Sequence, residues 1–315
     1  MPNSDTIVCI DFLGVITSLH EKAVVLFIQI LLVVVMILMV VIVARTYLMR
    51  KKPIFERFGL GMLIGFFTDF GDTLGIGSFA TTTAAFRATH FVQDDRQLPG
   101  TLNAMHAIPV MVEALFFITA VKVELTTLIP MTTAAVIGAY VGTHVTKNWH
   151  APTVQRVMAG ALFIAVVIMI IRMISTPGSS NAMSVHGLHG WWLILGIVFN
   201  LGIGVLMTMG LGNYAPELIF FSLMGVNPAI AFPVMMLDAA LIMPTTAWNV
   251  IKMDRISWRG FAGVAIGGVL GGLVAAKFFT SLDTDLLKKL IIIVSLWTVF
   301  GLLRDSFKKN WKKAH

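Results

Sequence analysis

The sequence predicts an all-α polytopic membrane protein. Three observations carry this: only 12% of the residues are charged, the mean hydropathy is +0.87, and long apolar runs recur throughout the 315 residues. A soluble domain carries about 25% charged residues, and water cannot solvate so much apolar surface. The expected architecture is about nine transmembrane segments: two homologous halves, each with a broken helix, preceded by one extra N-terminal helix.

The extra helix is the clearest element. Residues Ala23–Ala44 read AVVLFIQILLVVVMILMVVIVA, with Gln29 the only strongly polar side chain. About 20 apolar residues suffice to cross a bilayer as a helix. The run is too long for a signal peptide, acidic residues (Asp5, Asp11, Glu21) precede it, and no small-residue cleavage site follows. It reads as retained, with residues 1–57 forming this helix and a basic loop.

Further apolar segments follow: Phe58–Phe91 (broken), Pro99–Val121, Leu125–Thr146 and Thr153–Ile174, then Trp191–Met224 (broken), Pro228–Ile251, Trp258–Thr280 and Leu286–Leu303. A Ser/Gly-rich linker, 175–190, separates the sets. The sets match landmark by landmark, which is the mark of an internal repeat. Gly75-Ile76-Gly77-Ser78-Phe79-Ala80 corresponds to Gly210-Leu211-Gly212-Asn213-Tyr214-Ala215, Pro99 and Pro109 to Pro233 and Pro244, and Lys122-Val123-Glu124 to Lys252-Met253-Asp254. Gly138 and Gly142 correspond to Gly267 and Gly271. The repeats are therefore 58–174 and 191–303, with a basic tail at 304–315. They are parallel if each broken segment crosses once and inverted if each is a hairpin that crosses twice; the few loop charges leave both open.

The net charge of +7 gathers at segment ends, in RTYLMRKK and RDSFKKNWKK. It reads as topogenic charge on the cytoplasmic side, with lipid and not nucleic acid as the partner surface. This places the protein in the cell membrane with a cytoplasmic C-terminus. Cys9 is the sole cysteine, so no internal disulfide forms, and neither cofactor nor metal is expected. The absence of a G-x-x-x-x-G-K-[ST] loop, an H-E-x-x-H pair and a G-x-S-x-G elbow argues against ATP hydrolysis and against an enzyme.

The stretch FFTDFGDTLGIGSFATTT, 66–83, breaks an apolar segment with glycines and carboxylates. Glycine is poor in helix interiors, so one helix is expected to stop around Asp69–Leu74 and another to start at Ser78, whose hydroxyl caps it. Gly210, Gly212 and Asn213 repeat the pattern, with Pro216 in the new first turn. Open helix ends at membrane depth are tolerated only against protein or a wet cavity. A helix start offers unpaired N–H groups and partial positive charge, an anion site without arginine. The expected solute site comprises Asp72, Thr73, Gly75, Gly77, Ser78 and Thr81, with Asn103 and His106 on the next helix. From the second half come Gly210, Gly212, Asn213 and Asp238. Ionisable groups inside a membrane mark pathways and proton relays, so Asp69, His106 and Glu113 are candidates for proton or ion coupling. Arg87 either snorkels to an interface or is a charge partner for Asp72 or the solute. Gly138/Gly142 and Gly267/Gly271 read as packing surfaces.

These motifs resemble the TauE/SafE sulfite exporter family of anion permeases. The likeness rests on GIGSFATTTAAF and GLGNYAPELIFF, a glycine-rich turn after a short apolar helix in each half, and covers about Phe58–Leu303. DTLGIGSFA followed by LPGTLNAMHAIP looks like one branch of it. The usual glycine triplet is reduced here, and Asp69 and Asp72 lie outside the hallmark. The resemblance implies secondary transport of a small anion, such as sulfite, a sulfonate or another sulfur-containing or organic anion. Asp69 and Asp72 motivate the alternative of a cation or neutral solute. A non-transporting structural protein leaves the paired breaks without a reason.

Overall fold

The computed structural model describes residues 4–94, 97–146, 151–175, 186–224, 226, 228–279 and 284–307. These residues form eleven α-helices and no β-strand. Six helices are long and apolar enough to span a membrane. The first, α1 (Ser4–Arg50), extends well beyond the apolar run at both ends. Its outer face stays apolar, with Phe27 and Leu38 more than half exposed, as a lipid-facing helix requires.

Two series of five helices follow. The first is α2 (Phe58–Thr73), α3 (Ser78–Ala88), α4 (Leu98–Ala120), α5 (Leu125–Val145) and α6 (Ala151–Ser175). The second is α7 (Trp191–Met207), α8 (Tyr214–Leu223), α9 (Ala231–Lys252), α10 (Phe261–Phe279) and α11 (Thr284–Ser306). The breaks fall where the glycines predicted them. Most of the linker, 176–185, and residues 308–315 of the tail lie outside the described residues.

Each broken segment is a hairpin. Arg57, just before α2, donates to the carbonyls of Thr89 and His90, just after α3, at 2.9 and 3.2 Å. The chain therefore enters along α2 and returns along α3 to the same end of the bundle. In the second hairpin Phe199 of α7 stacks on Phe220 of α8 with ring centres 4.4 Å apart.

The two series run in opposite directions. At the start of α4, the Thr101 hydroxyl accepts from the Ser257 N–H just beyond α9 at 2.9 Å. Near the other end Phe117 stacks on Phe232, at the start of α9. So α4 and α9 are antiparallel. Arg156 near the start of α6 donates to the Ser306 carbonyl at the end of α11, 3.1 Å, and these helices are antiparallel too. Of the two arrangements left open by the loop charges, the inverted one is observed, with each broken segment folded back as a hairpin of two short helices in place of two full spans.

The series are interlocked. Helix α10 packs along α2, and α5 along α7. Gly263, Gly267 and Gly271 lie on the backbone of Phe58, Met62 and Phe66 in turn, so α10 and α2 are parallel; Gly138 and Gly142 meet Leu201 and Val205 the same way. The expected packing role of these glycines holds: without side chains, two helix backbones approach closely enough for dispersion contact where no hydrophobic force acts between helices.

Candidate functional site

Helix α2 ends in a Schellman motif. The Ile76 N–H donates to Gly71 O at 2.9 Å, and the Gly75 N–H to Asp72 O at 2.7 Å. The motif needs a left-handed residue after the helix, and Gly75 supplies it with φ 93°. Gly210, in the turn after α7, is also left-handed, with φ 81°, and its N–H donates to Met207 O at 3.0 Å. The hairpin then places the start of α3 beside the end of α2.

This fold-back corrects the expected cap. The Ser78 hydroxyl makes no hydrogen bond. The Asp72 carboxylate, six residues earlier, accepts from the Ser78 N–H through Oδ1. A carboxylate is a stronger acceptor than a hydroxyl and complements the helix dipole, so the first helix start already holds an anion of its own. Asn213 does not cap α8 through its side chain either. Its amide donates instead to Glu217 at 2.8 Å and to the Met235 carbonyl at 2.9 Å.

Two buried polar clusters flank the breaks. In the first, His106 Nδ1 lies 2.8 and 2.9 Å from the Asp69 carboxylate oxygens. Its Nε2 is 2.9 Å from the Thr82 hydroxyl. Asp69, His106 and Thr82 are fully buried, so the imidazole is fixed at both nitrogens. Asp72 and Glu113 complete the cluster: one carboxylate oxygen from each, with one from Asp69, lie within 4.8 Å of one another. Glu113 thus belongs to the core of the cluster and not to the far end of its span. The backbone of α10 closes one wall, since a Cβ on Gly268 would meet Asp69 Oδ2, and one on Gly272 would meet Glu113 Oε1.

The second cluster is built from the matching elements. Asp238 of α9 accepts from the Asn200 amide of α7 and neighbours Glu217 of α8 and Thr132 of α5. All four are buried. Glu217, Asn200, Thr132 and Thr82 were missed in the sequence reading; Glu217 had a visible signal, a charge inside the ten-residue apolar helix YAPELIFFSL.

A cavity of about 80 Å³ lies between the breaks. Ile76 and Gly77 line it from the first break, and Gly210, Leu211 and Gly212 from the second. Both new helices contribute their first turns, through Phe79 and Ala80 and through Tyr214, Ala215 and Pro216. Gln155 and Met158 of α6 and Thr298, Gly301 and Asp305 of α11 close it. Such a volume holds a few waters or one small solute. Of the expected solute residues, Gly77, Gly210 and Gly212 line it. Asp72, Thr73, Gly75, Ser78, Thr81, Asn103, His106, Asn213 and Asp238 do not. The Thr73 and Thr81 hydroxyls bond to their own helices, and the Asn103 amide donates back to Pro99 O at 2.8 Å. Arg87 pairs with Asp305 at 3.6 Å, and not with Asp72. Tyr214 joins the two regions: it lines the cavity and lies beside the Asp72 carboxylate, its hydroxyl meeting Met236 Sδ at 3.1 Å.

The His106–Asp69 pair gives a direct test of this geometry. Removing one partner of a buried ion pair costs about 3–5 kcal/mol because the other is left uncompensated. His106→Leu is expected to destabilise the detergent-purified protein by that amount, and Asp69→Asn with His106→Leu together by much less than the sum of the two single changes. A double-mutant cycle on unfolding in denaturant measures it.

No family model, no curated protein and no solved structure matches this chain.

Proposed function

We propose that this protein is a secondary transporter of a small anion, of the kind that the resemblance to the TauE/SafE permeases implies, with the solute held between the two helix breaks. The observation that carries the reading is that both breaks, 135 residues apart in the chain from Gly75 to Gly210, line one cavity. Inverted halves with discontinuous helices around a shared site are the recurrent build of secondary transporters.

In this reading α1, α4, α5, α6, α9, α10 and α11 cross the membrane, and the two hairpins enter it from opposite sides. Helix α3 has 11 residues and α8 has 10, about 16 and 15 Å of rise. Their starts then fall near the middle of a hydrocarbon core about 30 Å thick, with both positive dipole ends turned inward. The α8 start carries no side-chain cap and is the anion-facing end. Arg50, Lys52, Arg57, Lys252, Arg259 and Arg304 gather at the end of the bundle where Lys52 pairs with Asp254 and Arg259 with Glu56. The positive-inside rule makes that end cytoplasmic. The repeated landmarks make the halves homologous units, 58–174 and 191–303.

One observation favours a second reading, a carrier of a cation or neutral solute: Asp72 already occupies the start of α3. Proteoliposomes that contain the purified protein alone separate the two. Saturable uptake of a small sulfur oxyanion or sulfonate is the expected result. Uptake of cations or neutral solutes without any anion moves the assignment to the second reading, and no flux of any solute ends the transporter reading.

A further inference from the structure

The first polar cluster gathers three carboxyl groups, of Asp69, Asp72 and Glu113, around one imidazole. Asp69 is matched by His106. Among the described residues no lysine or arginine is buried. Asp72 Oδ2 and both oxygens of Glu113 accept no hydrogen bond, although Asp72 is 1% and Glu113 2% exposed. Burying an uncompensated ion costs several kcal/mol even after relaxation. The side chains of Tyr214 and Ser78 beside Asp72, and of Thr73 beside Glu113, are neutral dipoles and bring no positive charge to the cluster.

We propose that Asp69, Asp72 and Glu113 hold one dehydrated hard cation of sodium or calcium size. The donors are all carboxylate oxygens, the ligand type for such ions. One oxygen from each lies within 4.8 Å of the others, so a single ion can touch all three; the site is buried, which favours an ion that sheds its water over magnesium, which dehydrates reluctantly. Sodium has nearly the calcium radius and takes the same ligands. The site departs from the sequence expectation that no metal is bound. Gly268 and Gly272 are part of it, because any side chain there would push the Asp69 and Glu113 carboxylates off their positions.

The cation sits one residue from the solute. Tyr214 forms a wall of the cavity on one side and neighbours Asp72 on the other, and Asp72 also holds the start of α3. Drawing Asp72 onto a cation changes its grip on that helix start. Only this coupling role rests on the transporter reading; the ion site itself does not.

The test uses the full chain in detergent, stripped with chelator into choline chloride, and follows its thermal unfolding as NaCl, CaCl₂, KCl or MgCl₂ replaces choline chloride at constant ionic strength. A ligand of the folded state raises the unfolding temperature with occupancy. The expected result is a saturable rise of several degrees with sodium or calcium, and little with potassium or magnesium; whichever of the two acts identifies the ion. Glu113→Gln and Asp72→Asn should each weaken the apparent affinity by at least about 100-fold, more than loss of an outer-shell partner does, while Asp254→Asn on the surface keeps the full response. A wild-type protein indifferent to all four cations overturns the proposal, as does a response that both variants retain. If a variant fails to fold, the wild-type selectivity series decides alone. Solute flux in proteoliposomes is read separately, so loss of the cation response leaves the cavity assignment standing, and loss of flux leaves the ion site standing.

Discussion

On the transporter reading, Gly212→Val is expected to cut solute flux at least about tenfold in a protein that still inserts and folds. Gly212 lines the cavity, its φ lies outside the positive region, and a Cβ built on it meets nothing within 4 Å. The backbone therefore accepts a side chain without strain, and the added methyl groups project into a space of only about 80 Å³. The expected outcome is at least about a tenfold loss of flux, equivalent to ~1.4 kcal/mol or more of solute affinity, with an unchanged elution profile and unfolding temperature. Gly77 also lines the cavity, but its backbone, with φ 81° and ψ 125°, lies in a region nearly exclusive to glycine. Gly77→Val adds about 1–3 kcal/mol of strain and mixes folding with function. Normal flux in Gly212→Val proteoliposomes would remove the cavity from the transport path.

Gly267→Val removes the fold itself. A Cβ at this position runs into the Met62 carbonyl on the facing helix. Overpacking costs about 1–3 kcal/mol when side chains can shift, and more when they cannot. Here the obstacle is helix backbone, and parting α10 from α2 also opens the neighbouring contacts of Gly263 and Gly271. Against a total stability of about 5–15 kcal/mol, the expected result is aggregated protein on extraction, or an unfolding temperature lowered by many degrees. Gly160 is the control, since it lies in α6 with nothing within 4 Å of its Cβ. Gly160→Ala should be neutral or gain up to about 1 kcal/mol from helix propensity. Monodisperse, wild-type-like Gly267→Val protein would contradict the packing described.

The helices and both interruptions were legible in the sequence because composition and glycine act locally: Gly75 and Gly210 end helices wherever the rest of the chain goes. The cap at Ser78 was not legible. Its partner, Asp72, is selected by the hairpin, and a serine beside a helix start looks the same whether or not a carboxylate arrives from elsewhere. Direction was not legible either. The loops at Lys122 and Lys147–Arg156 carry too few charges to orient the halves, whereas the stacking of Phe117 on Phe232 fixes the antiparallel relation of α4 and α9 at once. His106 and Glu113 were recognised as a spaced set on one helix, but their meeting with Asp69 and Asp72 depends on how α2 lies against α4. Asn200 and Thr132 gave no signal, as neutral polar residues in apolar helices commonly satisfy their own backbone.

The exchange of helices between the two halves has a mechanical consequence. Helix α10 is seated on α2 and α5 on α7 through contacts made by backbone, so on the transporter reading the pieces that can pivot as solid levers are not the stretches 58–174 and 191–303. Each lever is a composite, with one helix borrowed from the opposite stretch of chain.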